Sequence, residues 1–223
     1  MEKIKFISEK SNNWNVSIGS QALSLLKRKG IEDEQKDNIL KSSSEILECC
    51  GNPNNISNSE TGLVIGYVQS GKTLSFTTLA ALASQNGFNV IIIIAGSTTK
   101  LVDQTTIRIE NDLDINNKSE ISWKLHKNPK TNKIEEILCD MEEGLFDDQP
   151  VLLITVMKNT THLKNLKSIF VNSKIKQCDF KVLIIDDEAD QASLNTQANK
   201  KNELNISSTY RILREIRSTI KNH

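Results

Sequence analysis

Residues 66–73 have the composition and spacing of a loop that binds phosphate groups. They read Gly-Tyr-Val-Gln-Ser-Gly-Lys-Thr and match the pattern G-x-x-x-x-G-K-S/T at every specified position. Glycines such as Gly66 and Gly71 let the backbone curl so that successive N–H groups point at phosphate oxygens. In such a loop Lys72 supplies positive charge to the β and γ phosphates, and the Thr73 hydroxyl binds magnesium. The sequence therefore predicts a catalytic role for Lys72, a metal ligand in Thr73, and a nucleotide-binding site made of Gly66, Gln69, Ser70, Gly71, Lys72 and Thr73.

The neighbours of this loop support the prediction. The apolar run Gly62–Ile65 precedes it, as a strand would, and the helix-forming run Thr73–Ser84 follows it. The positive end of that helix would be directed at the same phosphates. By chance alone the pattern would arise in about one in a hundred chains of this length. Two roles stay open for Gln69, which either senses the nucleotide or a partner lobe, or is a solvated loop side chain.

A second candidate site follows an apolar run near the end of the chain. Residues 182–190 read Val-Leu-Ile-Ile-Asp-Asp-Glu-Ala-Asp, so a buried strand is predicted to end in carboxylates. Ligands of open α/β sheets bind beyond the carboxyl ends of the strands, so these acids and the phosphate loop should face one crevice. We assign Asp187 to the metal, and Glu188 to orienting and deprotonating the attacking water. Asp186 stays open as an alternative metal ligand, and a solvated acidic turn is the alternative to any site here.

Four apolar runs predict the strands that would position these residues. They are rich in Val, Ile and Leu without polar alternation, as expected of parallel strands buried on both faces. Because candidate helices separate them, the pattern predicts an open, mostly parallel α/β sheet with helices on both sides. The predicted strands are Gly62–Ile65, Val90–Ala95, Val151–Val156 and Val182–Ile185. The predicted helices are Thr73–Ser84, Lys100–Asn111, Lys133–Glu143, His162–Asn172 and Ser208–Lys221.

The N-terminal part of the chain differs from the rest and is predicted to be helical. One amphipathic helix ends at Gly30, and a second runs from about Asp33 to Gly51. An Asn- and Ser-rich stretch then follows and is typical of a linker. We therefore predict a helical N-terminal extension over residues 1–60 and a nucleotide-binding domain over residues 61–223.

Composition narrows the classes of protein that fit. The 28 basic residues balance the 28 acidic ones, which argues against a protein that coats DNA electrostatically but leaves local phosphate contacts possible. Aromatic residues make up only 4%, too few for a broad base-stacking platform. No C-x-x-C pair is present, and no apolar run is long enough to span a bilayer. We expect a soluble, cytoplasmic protein without membrane contact.

The ordered motifs resemble those of superfamily-two helicases, the DEAD-like ATPases. Residues 66–73 resemble helicase motif I, and Asp187-Glu-Ala-Asp190 resembles motif II. Residues 97–104, Ser-Thr-Thr-Lys-Leu-Val-Asp-Gln, resemble motif Ia, and Ile154-Thr-Val-Met157 resembles a later threonine motif at a strand end. The resemblance implies a three-layer P-loop NTPase fold of the RecA-like type and Mg²⁺-dependent binding and hydrolysis of ATP. It also implies contacts to nucleic-acid phosphates by Thr98 and Thr155.

More narrowly, the phosphate loop and Ile185-Asp-Asp-Glu-Ala-Asp-Gln-Ala192 resemble the endonuclease Z-one domain family. Those are large bacterial proteins with a helicase-like core in restriction-like or defence settings, and the resemblance runs from about Asp33 to the end. Helicases of this type need a second motor lobe that supplies arginines to the γ phosphate, and a Ser/Thr-Ala-Thr coupling motif. Neither appears before His223. We therefore expect a second lobe in cis or in trans and slow ATP hydrolysis by this chain alone, and we see no nuclease chemistry in it.

Taken together, these features predict an ATP-hydrolysing, helicase-like domain of a bacterial protein that acts on nucleic acid, with DNA the expected partner. The alternative is a nucleotide-gated interaction module that recruits a partner without moving along DNA. Three lysines after the third predicted strand also allow two interpretations. Lys158, Lys164 and Lys167 either contact phosphates or belong to a charged helix face, the commoner case.

Overall fold

Four parallel strands form a sheet at the centre of the residues that the structure describes. This computed structural model describes residues 14–54, 60–64, 72–117, 121–142, 150–172, 180–189 and 207–220. The strands are β1 (Val90–Ala95), β2 (Trp123–Lys127), β3 (Val151–Met157) and β4 (Val182–Asp186), and their order across the sheet is β2-β3-β1-β4. All three pairings are parallel, with Ile92 of β1 opposite both Ile154 and Ile184. The predicted α/β class and its parallel sheet are confirmed.

Seven α-helices accompany the sheet in this described part of the chain. In chain order they are α1 (Ser20–Arg28), α2 (Asp33–Cys49), α3 (Lys72–Gln85), α4 (Thr99–Leu113), α5 (Ile134–Glu142), α6 (Thr160–Val171) and α7 (Ser208–Thr219). A 3₁₀ turn, Thr131–Lys133, leads into α5. Polar side chains cap several of their N-termini: Asn159 accepts a 2.9 Å hydrogen bond from the backbone N–H of His162 at the start of α6. The helices predicted between the strands are all present, with ends shifted by one or two residues.

The helices lie on both faces of the sheet, which explains why its central strand is apolar at every position. Side chains of a strand alternate between faces. Ile91 and Ile93 therefore join a core built with α1 to α4, whereas Ile92 and Ile94 join a core built with α5 to α7. The whole of β1 is buried as a result. Helices α1 and α2 contact α3, so the predicted N-terminal extension shares a core with the first of these layers. The predicted division at residue 60 stays a prediction.

One predicted strand is wrong and one observed strand was missed. Residues 62–64 form no strand, and the side chains of Leu63 and Val64 are 74% and 51% exposed. An apolar run becomes a buried strand only where a neighbouring strand completes its hydrogen bonds, and residues 62–64 pair with none of the described strands. Ile65 lies outside the described residues. The missed strand is β2, which lies at an edge of the sheet. Edge strands commonly carry charged residues, and the two lysines of β2 interrupt the apolar pattern by which the other strands were predicted.

Candidate active site at the carboxyl edge of the sheet

Helix α3 directs its N-terminus toward the carboxyl ends of the strands. Only four residues separate its last residue, Gln85, from the start of β1 at Val90, so α3 ends near the amino edge of the sheet. Its 14 residues span about 21 Å, and its middle is buried against the sheet. Lys72, the first helical residue, therefore begins α3 on the carboxyl side. Of the predicted loop residues, Gly66, Gln69, Ser70 and Gly71 lie outside the described residues, as do the side chains of Lys72 and Thr73.

The carboxyl ends of three strands converge at the same edge. The backbone N–H of Lys158, just after β3, donates a hydrogen bond to the carbonyl oxygen of Gly96, just after β1, at 3.2 Å. The N–H of Asp187, just after β4, donates to the carbonyl oxygen of Ile94 at 3.1 Å. These bonds place the acidic segment 186–188 beside the ends of β1 and β3. The structure thus brings the predicted residues Asp187 and Glu188 to the edge toward which α3 begins.

Lys158 is a buried cation within this group. Its residue is only 3% exposed, and its Nζ forms an ion pair with the Asp186 carboxylate. The same Nζ donates a hydrogen bond to the backbone carbonyl oxygen of Glu188. A charge is buried in a protein only when it is paired and hydrogen-bonded, and Lys158 meets both conditions. Lys158 therefore ties the segment that carries both predicted carboxylates to the end of β3.

Asp186 and Asp187 differ in their surroundings, although both follow the same apolar run. Asp186 is the last residue of β4 and pairs with Lys158. Asp187 begins the turn that leaves the strand, and it lies partly exposed. Consecutive residues at the end of a strand point to opposite sides. The two carboxylates therefore do not share one position, and Lys158 forms its ion pair with that of Asp186.

Glu188 has a carboxylate oxygen in an unusual position. Its Oε2 is buried and has no hydrogen-bond partner among the residues that the structure describes. This atom lies against Gly96, where an added Cβ would be 3.0 Å from Oε2 and 2.6 Å from Leu101 Cδ1. A buried carboxylate oxygen without a partner is costly, so its position suits a group that a ligand or water completes. A side chain at position 96 would make the ends of the Leu101 and Glu188 side chains shift.

The sequence did not predict Gly96 as a site residue, and it left Lys158 open between a phosphate contact and a charged helix face. Each stands directly after an apolar strand, at the edge where α/β sheets bind ligands, and this position was the signal that could have identified them. Lys158 was grouped instead with Lys164 and Lys167. Those two lie on the outer side of α6, where Lys164 is exposed and Lys167 pairs with Glu215.

The two predicted nucleic-acid residues differ in accessibility. Thr98 is exposed at the carboxyl end of β1, and its hydroxyl accepts a 3.3 Å hydrogen bond from the N–H of Leu101 as the N-cap of α4. Thr155 is fully buried, and its hydroxyl lies 2.8 Å from that of Thr106. A hydroxyl inside the core cannot reach a phosphate, so this arrangement does not fit the contact predicted for Thr155. Thr98 keeps an accessible position.

Magnesium is the cation that the predicted site would bind. Among the described residues, no three His, Cys, Asp or Glu side chains are grouped so as to hold a metal ion. Magnesium, however, usually takes only one or two protein ligands together with substrate phosphates and water. A site formed by Asp187 and the Thr73 hydroxyl would be of that kind, and carboxylate and hydroxyl oxygens suit it chemically.

Comparison with known proteins identified no relative of this chain. No protein-family model, no curated protein and no solved structure matches the chain. Within the described ranges, none of the helices has the length and apolar character that crossing a bilayer requires.

Proposed function

We propose that this chain is a Mg²⁺-dependent, ATP-binding and ATP-hydrolysing domain of helicase-like type that acts on DNA. The observation that carries the proposal is that the acidic segment 186–188 and the start of α3 lie on the same side of the sheet. Asp187 and Glu188 lie at the carboxyl ends of the strands, and α3 begins on that side directly after the phosphate-loop sequence. Ligand sites of open α/β sheets occur at this edge. A RecA-like fold, with residues 61–223 as the nucleotide-binding domain, is the finer part of the same proposal.

Each group at this edge would have a separate role. Lys72 and the N-terminus of α3 would bind the β and γ phosphates. Thr73 and Asp187 would hold Mg²⁺, which when bound neutralises phosphate charge and orients the nucleotide. Glu188 would accept a proton from the attacking water, since its buried Oε2 has no other partner among the described residues. Because Lys158 neutralises Asp186, we assign the metal to Asp187 rather than to Asp186.

The helicase-like part of the proposal rests on the order of the motifs along the chain. Thr98, accessible at the end of β1, remains the candidate for a contact to a nucleic-acid phosphate. A second lobe, in cis or in trans, would supply an arginine to the γ phosphate, a contribution of about 10³–10⁵ in rate in related chemistry. We therefore expect this chain alone to bind ATP but to hydrolyse it slowly.

A titration of the chain with fluorescent ATP and magnesium tests the nucleotide site. Three variants are compared with the wild type: Lys72→Ala, Glu188→Gln and, as a control, Lys41→Ala on the exposed side of α2. Lys72→Ala should lose most of the affinity, because it removes the charge on the phosphates. Glu188→Gln should bind ATP but hydrolyse it at least about a hundredfold more slowly. Lys41→Ala should match the wild type in both assays.

The outcomes separate the parts of the proposal. Wild-type binding that Lys72→Ala does not weaken would refute the nucleotide site. Turnover that persists in Glu188→Gln would refute the role of Glu188. If ATP binds but DNA never stimulates turnover, even with the second lobe supplied, the chain is better described as a nucleotide-gated interaction module.

A further inference from the structure

Helices α6 and α7 together carry a concentration of positive charge that the site at the sheet edge does not use. They contain five basic residues and one acidic residue, a net charge of +4 on 24 residues. The whole chain is neutral, so the rest of it carries a net charge of −4. The basic residues of this α6–α7 face are Lys164, Lys167, Arg211, Arg214 and Arg217.

Packing turns these basic side chains outward. The two helices contact each other and cover the sheet through buried residues such as Leu166 and Ile216. Arg211, Arg214 and Arg217 are all exposed. They follow one another at three-residue intervals, so each lies about 4.5 Å further along α7 than the one before. The α6–α7 face is therefore a stripe of cations and not a set of scattered ones.

The single acidic residue on these helices does not cancel the stripe. The Glu215 carboxylate is already paired with Lys167, whose Nζ lies 2.8 Å from Oε2. The hydrogen bond from Lys167 holds the pKa of Glu215 below its usual value of 4.5, and the charges of Lys167, Arg211 and Lys164 lower it further. The Glu215 carboxylate therefore lies in a positive electrostatic environment. Arg211 also acts on Glu215, and Arg217 donates a hydrogen bond to the Thr61 hydroxyl, but α7 has three arginines for its single acidic residue.

A shallow, open depression lies between two of the arginines. Arg211, Arg214, Glu215 and Ser218 line an open depression of about 210 Å³. Guanidinium groups bind phosphate oxygens through two parallel hydrogen bonds, which makes arginine well suited to phosphate recognition. We propose that the α6–α7 face binds the sugar-phosphate backbone of a nucleic acid, with Arg211 and Arg214 on consecutive phosphates.

Two other polyanionic partners fit this face less well. An interface with an acidic protein would need apolar or aromatic residues at its centre, and Val171 is the one large apolar side chain of α6 and α7 that is strongly exposed. A membrane surface would need an apolar stripe to insert beneath the charges, and the apolar side of both helices is buried against the sheet. Backbone phosphates require only exposed, regularly spaced cations.

The location makes this contact separate from the nucleotide site. Helix α3, which follows the phosphate loop, belongs to the core on one face of the sheet, whereas α6 and α7 belong to the core on the other. The inference deepens the DNA-acting part of the proposed function, but it does not depend on ATP binding. The chain should therefore bind nucleic acid through this face without nucleotide.

Fluorescence anisotropy with a labelled DNA duplex, measured without nucleotide across about 50–200 mM salt, tests the proposal. The test variant is Arg211→Gln/Arg214→Gln. The control is Lys27→Gln/Lys41→Gln, which removes the same charge from exposed positions on α1 and α2, across the sheet. For two lost phosphate contacts, the slope of log K against log salt should fall by about 1.8. Affinity at about 0.1 M salt should fall at least about tenfold, and the control should keep the wild-type slope.

Equal losses in the two variants, or no DNA binding by the wild type, would overturn the proposal. So would displacement of the duplex by poly-glutamate at equal charge concentration, which would make the face a general surface for acidic chains. Both variants change exposed residues, and thermal unfolding checks that each is folded. ATP binding by the arginine variant should be unchanged. Lys72→Ala should bind DNA normally, so failure at one site is distinguishable from failure at the other.

Discussion

The buried ion pair between Lys158 and Asp186 offers a direct test of how the acidic segment is held. In Lys158→Met the ammonium is removed while most of the side-chain length is kept. Taking one partner from a buried pair costs about 3–5 kcal/mol, because the remaining charge loses its compensation. The Asp186 side chain is 20% exposed, whereas that of Lys158 is 0% exposed. Water can therefore reach the remaining carboxylate, and we expect a loss in the free energy of unfolding near the lower end, about 3 kcal/mol.

A double-mutant cycle separates this pair from other effects of the substitution. Lys158→Met, Asp186→Asn and the double variant are unfolded with urea and followed by circular dichroism. Neutralising Asp186 removes the uncompensated charge, so the double variant should be at least about 1 kcal/mol more stable than the sum of the single losses predicts. Lys36→Met serves as a control, because it breaks an exposed pair with Asp33 and should leave the stability close to that of the wild type. Additive losses in the cycle would refute a coupled pair.

Lys158→Met also tests whether the ion pair positions the residues of the candidate active site. Lys158 also donates a hydrogen bond to the carbonyl oxygen of Glu188. If it positions the carboxylate segment, Lys158→Met should reduce ATP turnover at least about tenfold under conditions where the variant is folded, because small displacements of reacting groups are costly. Affinity for ATP should change much less, since Lys158 is buried and its Nζ is already paired with Asp186. Equal losses in affinity and turnover would instead indicate a general disturbance of the edge.

Two further predictions concern Gly96 and Cys50. In Gly96→Ala the new Cβ would crowd the ends of the Glu188 and Leu101 side chains, which can shift, so stability should fall by only about 1 kcal/mol, and Leu101→Ala should recover part of that loss in thermal melts. A Gly96→Ala variant of wild-type stability would contradict the crowding. Burial raises the pKa of the Cys50 thiol from 9.0 to about 11, so its contribution to stability is complete below pH 9 and is lost as the pH rises toward 11. The stability difference between wild type and Cys50→Ala should therefore shrink by about 2–3 kcal/mol across that range in urea titrations, and a constant difference would contradict it.

The strands that could be predicted from sequence are those buried on both faces. β1, β3 and β4 have uninterrupted apolar sequences because helices cover them on both sides, and that environment admits little else. Edge strand β2 has a sequence with two lysines, because one of its edges has no strand beside it in the described sheet. The run Gly62–Ile65 shows the opposite error. Its residues 62–64 have strand-like composition, but composition does not specify a pairing partner.

Some residues of the candidate site could be predicted from local sequence, and others could not. Asp187 and Glu188 could be predicted, because a strand followed by carboxylates has a meaning within a short segment of sequence. Lys158 and Gly96 could not be assigned roles in that way, since their partners are about 30 and 90 residues away along the chain. Nothing local separates Lys158, which is buried, from Lys164, which is exposed. Their difference arises only when β3 and β4 are brought on either side of β1.

Lys158 also bears on why a charge pair is kept at this edge at all. Buried ion pairs stabilise proteins little compared with apolar groups of the same size, so stability alone is a weak reason for one. The pair fixes the orientation of this segment, because Lys158 binds both the Asp186 side chain at the end of β4 and the Glu188 carbonyl oxygen in the following turn. A leucine and methionine pair could fill the space, but it could not fix the Glu188 carbonyl oxygen. We therefore expect Lys158 to act as a positioning residue that fixes the geometry of Asp187 and Glu188.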